Sequence, residues 1–180
     1  RIHSRRTRPH HARPPDRLRI RNGSCGRCAR SDDTYVKMAQ PFQIILDTNI
    51  LVAAFRSKRG AANLLLEQLR DPRWHVNVST PLLLEYEEVL KRSEMSEFIA
   101  TEDIDHFLDA FCSISECHDI FFLWRLLTDD PNDAFIFELA VRINADFLVT
   151  YNPKDFSNLS DFGVKLATPK EFLKFVGDLP

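Results

Sequence analysis

From residue 41 onward, short apolar runs alternate with longer segments of helical period. Phe42–Leu46 (FQIIL) is a continuous apolar run of the length of a buried strand. Asn49–Arg56 and the Leu-rich Gly60–Arg70 follow with helical spacing, and then Val76–Ser79 (VNVS) reads as a strand. The next helix is predicted over Thr80–Arg92, with Thr80 as N-cap and Pro81 at its first position. A further helix is predicted over Thr101–Phe111, where Glu102 and Asp103 load the first turn with acid. Asp119–Phe122 is predicted as a strand, Asp130–Ile143 as a helix, Phe147–Thr150 and Val164–Ala167 as strands, and Pro169–Val176 as a closing helix. Strands and helices in this alternation predict an α/β fold, a parallel sheet with helices on both faces. In such sheets ligands bind beyond the carboxyl ends of the strands, so polar residues at strand ends carry most of the functional information.

Charge changes the picture for the first segment. Residues 1–37 hold 11 Lys+Arg against 3 Asp+Glu, a net of +8, whereas residues 38–180 hold 13 against 23, a net of -10. The first segment has ten Arg, three Pro and no apolar periodicity. It is expected to be a disordered basic tail, upstream of a true start at Met38, because it cannot bury enough surface to offset its conformational entropy. The competing reading is a basic arm that holds RNA phosphates. Residues 38–180 are expected to form the folded domain. No stretch approaches the roughly 20 apolar residues of a membrane span, and no apolar signal-peptide core is present. The four Cys residues comprise Cys25 and Cys28 in the first segment and the distant Cys112 and Cys117. They lack the spacing of a closed zinc site, and free thiols in a cytoplasmic protein are the expectation.

The candidate chemistry is acidic. Asp47-Thr48-Asn49 follows the first strand directly, where Asp47 either caps the next helix or presents a carboxylate at a rigid, open strand end. Asp129-Asp130-Pro131-Asn132-Asp133 is the densest acidic group. Asp130 as N-cap with Pro131 behind it would start a helix, while Asp133 in the first turn would reach the carboxyl edge of the sheet. In the Thr80–Arg92 helix, Glu85 borders the apolar stripe on one side and Glu87 on the other, while Glu88 faces solvent. Periodicity leaves the choice between Glu85 and Glu87 open. Thr150 ends a strand, Asn152-Pro153 is a turn signal, and Asp155 follows in the same loop. Five Gly in the chain, and no glycine-rich phosphate loop or GxSxG, argue against a nucleotide cradle or a serine hydrolase.

Four segments in order, ILDTNILVAA, STPLLLEYEEVLKR, LWRLLTDDPNDAFIFELA and ADFLVTYNPKDF, resemble the PIN-domain nucleases, specifically the VapC-like toxin components of toxin–antitoxin pairs. The resemblance covers roughly residues 42–175. It implies a three-layer α/β/α sandwich with a parallel sheet of about five strands. It implies an endoribonuclease that cleaves single-stranded RNA with Mg²⁺ or Mn²⁺, water attacking in line to leave a 5′-phosphate. It assigns metal-holding and catalytic roles to Asp47, Glu85 and Asp133, with Asp130 as an additional carboxylate and Asn49 and Thr150 as orienting groups. It thereby selects Glu85 over Glu87. The fourth acid common in the family is replaced by Asn152, with Asp155 as a substitute candidate, and this departure keeps a noncatalytic module that binds RNA or a protein as the alternative. The expected partners are RNA, a small antitoxin, and a second copy of the chain or an antitoxin helix over Leu64, Leu65, Leu66 and Leu69. Because the domain is acidic, RNA requires a local basic rim, for which Arg56, Lys58 and Arg59 are the candidates.

Overall fold

The computed structural model describes residues 40–121 and 134–179. In chain order these residues form β1 (Phe42–Leu46), α1 (Thr48–Arg56), α2 (Ala61–Glu67), β2 (Trp74–Ser79), α3 (Thr80–Leu90), α4 (Thr101–Ile114) and β3 (Glu116–His118). After the undescribed stretch come α5 (Ala134–Ile143), β4 (Phe147–Val149), β5 (Lys165–Ala167) and α6 (Pro169–Val176). Among the described residues the five strands make one sheet in the order β3-β2-β1-β4-β5, and every pairing is parallel. Helices cover both faces, as the alternation of runs predicts.

The central strand explains its own sequence. β1 pairs with β2 on one side and β4 on the other, and Ile44, Ile45 and Leu46 are all fully buried. A strand covered on both faces needs consecutive apolar residues rather than alternation. α5 is likewise buried without a break from Ala134 to Ala140, with one acid in the run, Glu138, whose carboxylate accepts the Phe121 N–H. At the other extreme, α6 is amphipathic and begins with a complete capping box. The Thr168 hydroxyl accepts the Glu171 N–H at 3.3 Å, and the Glu171 carboxylate accepts the Thr168 N–H at 2.8 Å. It ends at Gly177, whose φ of +89° is strained for any residue with a Cβ.

Two expectations shift. The N-cap of α3 is Ser79, not Thr80, so Thr80 and Pro81 fill the first two helical positions. The strand expected at Asp119–Phe122 is absent over Asp119–Phe121, and the edge strand β3 lies earlier in the chain. β3 is held by polar cross-strand contacts instead of apolar burial. His118 Nε2 lies 2.7 Å from Asn77 Oδ1, and His75 Nδ1 lies 3.0 Å from Glu116 Oε1. Phe122, the acidic group with Asp130 and Asp133, and the first segment with Cys25 and Cys28 lie outside the described residues.

Candidate active site

The parallel sheet sends the carboxyl ends of β1 and β4 to the same edge, because Leu46 and Val149 are register partners. The next residue on each strand is therefore Asp47 and Thr150. Their side chains meet: the Thr150 hydroxyl donates to Asp47 Oδ2 at 2.5 Å. Asn49, in the first turn of α1, completes the arrangement. Its Nδ2 donates to the same Asp47 oxygen at 2.6 Å and lies 3.2 Å from the Thr150 hydroxyl oxygen. Its Oδ1 accepts the Tyr151 N–H at 3.2 Å, and Thr150 Oγ1 accepts the Asn152 N–H at 2.9 Å. Each polar group thus fixes the next, and the carboxylate is locked in one orientation at the end of a rigid strand. Asp47 is the N-cap residue of α1 by position, but its side chain makes no capping bond.

Asp47 is 8% exposed, while Thr150 is fully buried. Burial raises the Asp47 pKa above its ordinary value and outweighs the lowering by the Thr150 hydroxyl and the Asn49 and Thr48 backbone. The negative charge of Asp155 raises it further.

A cavity of about 280 Å³ opens in front of Asp47. Glu85 reaches it from α3, Val52 from α1, and Asn152 and Asp155 from the loop after β4. Glu87 goes elsewhere, to an ion pair with Lys91 at 2.7 Å. The structure thus separates the two glutamates that periodicity leaves equivalent. Glu88 is exposed and paired with Arg92. Of the predicted site residues, Asp47, Asn49 and Thr150 are in mutual contact, and Glu85, Asn152 and Asp155 share their cavity. Asp133 and Asp130 are not among the described residues. Cys112 and Cys117 are free thiols and do not line this cavity.

Three contributors are missing from the sequence reading. Thr48 lines the cavity, and its buried hydroxyl has no hydrogen-bond partner. Its place between Asp47 and Asn49 is the only signal for it. Ser79, at the carboxyl end of β2, has a buried Oγ that is likewise unpartnered. Tyr86, next to Glu85, is fully buried, and its hydroxyl donates to the Leu46 carbonyl just before Asp47. Burial raises the Tyr86 pKa well above its ordinary value, and the nearby charges of Asp47 and Glu85 add to it.

In kind, the donors fit a hard divalent cation. They are carboxylate, amide and hydroxyl oxygens, the ligands that Mg²⁺ and Mn²⁺ prefer, and the orphaned Thr48 hydroxyl lies among them. Among the described residues, no three of His, Cys, Asp and Glu stand close enough together to hold an ion on their own.

No curated protein matches the sequence. Solved structures similar in fold include two VapBC chains. A chain of VapBC-1 from nontypeable Haemophilus influenzae aligns at 17% identity and a TM-score of 0.51, over 71% of this chain and 98% of that one. A chain of VapBC2 from Rickettsia felis, bound to a DNA fragment from their promoter, aligns at 23% identity and a TM-score of 0.49, over 69% and 98%. The family profile described as PIN domain matches residues 43–154, more than half of the chain. That match spans the strand-end Asp47, the helix-borne Glu85 and the Asn49–Thr150 bracket, and the chain belongs to the PIN domain family.

Proposed function

We propose that this chain is a metal-dependent endoribonuclease that cleaves single-stranded RNA and serves as the toxin of a type II toxin–antitoxin pair. The observation that carries this reading is the buried Asp47, clamped by Thr150 and Asn49 and facing a cavity shared with Glu85 and Asp155. A scaffold gains nothing from gathering carboxylates around a desolvated one, because like charges raise each other's cost. Asp47 and Glu85, with Asp133 from outside the described residues, would hold Mg²⁺ or Mn²⁺. Such an ion, when bound, lowers the pKa of a water and offsets charge on the phosphoryl oxygens.

The chain's own residues do the positioning. Thr150 and Asn49 keep Asp47 from rotating, and the Tyr86 hydroxyl anchors the strand end that carries it. Asn152 and Asp155 border the open side, where a phosphodiester would enter. In the reaction a water oxygen bonds to phosphorus and the bond to the 3′ oxygen breaks. That oxygen leaves with a proton as the 3′ hydroxyl of the upstream fragment, and the downstream fragment keeps the phosphate on its 5′ end.

The antitoxin part of the reading is supported by the fold likeness to VapBC-1. It is also supported by an apolar groove of about 220 Å³ between α2 and α4, lined by Leu66, Leu69, Phe107 and Ile114. A helix laid in this groove would cover Leu66, whereas Leu65 and Leu69, which the sequence offered for the same contact, are already buried in the chain's own core. Asn152, which stands where many family members have an acid, favours the second reading, a PIN-fold module that binds RNA or protein without cleaving.

The deciding experiment is cleavage of single-stranded RNA against Mg²⁺ or Mn²⁺ concentration, with EDTA as control. Cleavage is expected to require the metal and to be lost in Asp47→Asn. Cleavage that survives both EDTA and Asp47→Asn would leave the binding-module reading in place.

A further inference from the structure

The cavity in front of Asp47 does not end at its walls. Val52 lines it from α1, and four residues on, along the same face of that helix, stands Arg56. Glu85 and Val89 line it from α3, which packs beside α1. The chain leaving α3 turns through buried Met95 and presents Phe98, whose N–H is held by the Met95 carbonyl at 2.9 Å. The two helix ends meet there: the Arg56 guanidinium lies 5.7 Å from the centre of the Phe98 ring. Phe98 is 42% exposed, so one part of the ring is anchored and the rest is open to solvent.

The charges around this pair differ from those around Arg73, Lys91 and Arg92. Arg73, Lys91 and Arg92 are all engaged by carboxylates. Arg56, Lys58 and Arg59 are exposed, and none of them forms an ion pair among the described residues. Three unneutralised cations within four residues, on a domain of net charge -10, form a local anion-binding surface. An exposed ring beside them supplies a face for a base. Phosphates and stacked bases together are the chemistry of single-stranded nucleic acid.

We propose that Arg56 and Phe98, with Lys58 and Arg59, form a landing surface for single-stranded RNA at the outer end of the α1–α3 groove. Phe98 stacks on a base and the cations contact the flanking phosphates, so that the strand runs inward over Val52 and Val89 toward Asp47. This rests on the ribonuclease reading for its direction of approach, and the test is therefore made without cleavage. The full chain is titrated in EDTA with a uridine-rich single-stranded oligonucleotide, read by fluorescence anisotropy at several salt concentrations. Phe98→Ala is expected to weaken binding on the order of tenfold, with Phe98→Trp retaining it. Arg56→Ala is expected to lower the slope of log K against log salt by about 0.7, the loss of one phosphate contact. An oligonucleotide carrying 4-thiouridine is expected to photocrosslink within the Met95–Phe98 segment, a readout that binding by residues 1–37 does not produce. Unchanged affinity and slope in both variants, or crosslinks only elsewhere, would overturn the proposal. So would variants that lose a co-purifying protein while binding RNA normally. RNA binding lost in these variants, in a chain that never cleaves, would keep the surface and reject the nuclease.

Discussion

The two edges of the sheet are built on opposite rules. At the amino edge, the rings of Phe42, Phe147 and Phe175 pack with centroids 5.0 to 5.7 Å apart, and Phe172 sits 5.3 Å from Trp74. Opposite charges are paired there: Arg73 reaches Asp71 and Asp178, both at 2.7 Å, and the Arg73 guanidinium holds the Asp71 carboxyl below its ordinary range. Lys165 lies over both Phe147 and Phe175. At the carboxyl edge, carboxylates share a cavity, Asp47 is held above its ordinary pKa, and the hydroxyls of Thr48 and Ser79 have no partner. The amino edge has its own orphan in Trp74 Nε1, but its carboxylates Asp71 and Asp178 share a cation in Arg73. One edge is arranged to hold the fold, and the other carries unfavourable electrostatics.

The largest expected effect is at the carboxyl edge. Asp47→Asn should lower RNA cleavage by orders of magnitude while leaving the fold intact. It should also raise stability slightly at neutral pH in EDTA. Because the folded pKa of Asp47 is raised, its ionised form costs stability above that pKa, and the cost vanishes as pH falls below the unfolded value near 3.8. Thermal melts of both forms across pH check this; a variant less stable than the parent at neutral pH would break the contrast between the edges. Next in size is the reverse case. Phe147→Ala at the amino edge should cost about 3–5 kcal/mol in urea denaturation, with cleavage per folded molecule retained.

Smaller effects sharpen the same contrast. Thr168→Ala removes the cap of α6, the helix that carries Phe172 and Phe175, and should cost about 1 kcal/mol. The Thr168 N–H and hydroxyl hold the Glu171 carboxyl below its ordinary 4.5. That contribution is full above 4.5 and fades as pH falls through the lowered pKa, a dependence that chemical denaturation should find missing in the variant. Smallest is Glu88→Gln. Its exposed i,i+4 pair with Arg92 predicts a change within about 0.5 kcal/mol and near-normal cleavage, whereas Glu85→Gln, one turn away, should abolish cleavage.

The parallel fold and the strand-end site were legible because both follow from burial. The unbroken apolar run of β1 marks a central strand, and a strand that ends in Asp47 must deliver it to the ligand-binding edge. Thr150 was legible for the same reason. Glu85 was not separable from Glu87 by period alone, since both border the apolar stripe; the choice depends on which neighbour lies beyond each edge, and only the tertiary structure or a family likeness supplies that. β3 escaped notice because an edge strand of Glu, Cys and His is held by side-chain pairs to Asn77 and His75 on another strand. The apolar Ile120 and Phe121 beside it drew the prediction instead. Ser79 displaced Thr80 as cap because adjacent hydroxyl residues carry the same local signal.

The bond between Asp47 and Thr150 joins residues 103 positions apart. During synthesis, β1 emerges early and β4 only after most of the domain has been made. Until β4 docks, Asp47 lacks its hydroxyl clamp and half of its strand pairing, and the cavity lacks the wall formed by Asn152 and Asp155. Long-range parallel pairing is also slow to form. A nascent chain of the proposed nuclease therefore lacks its assembled site until β4 has been made and has docked on β1. The delay is written into the order of the strands.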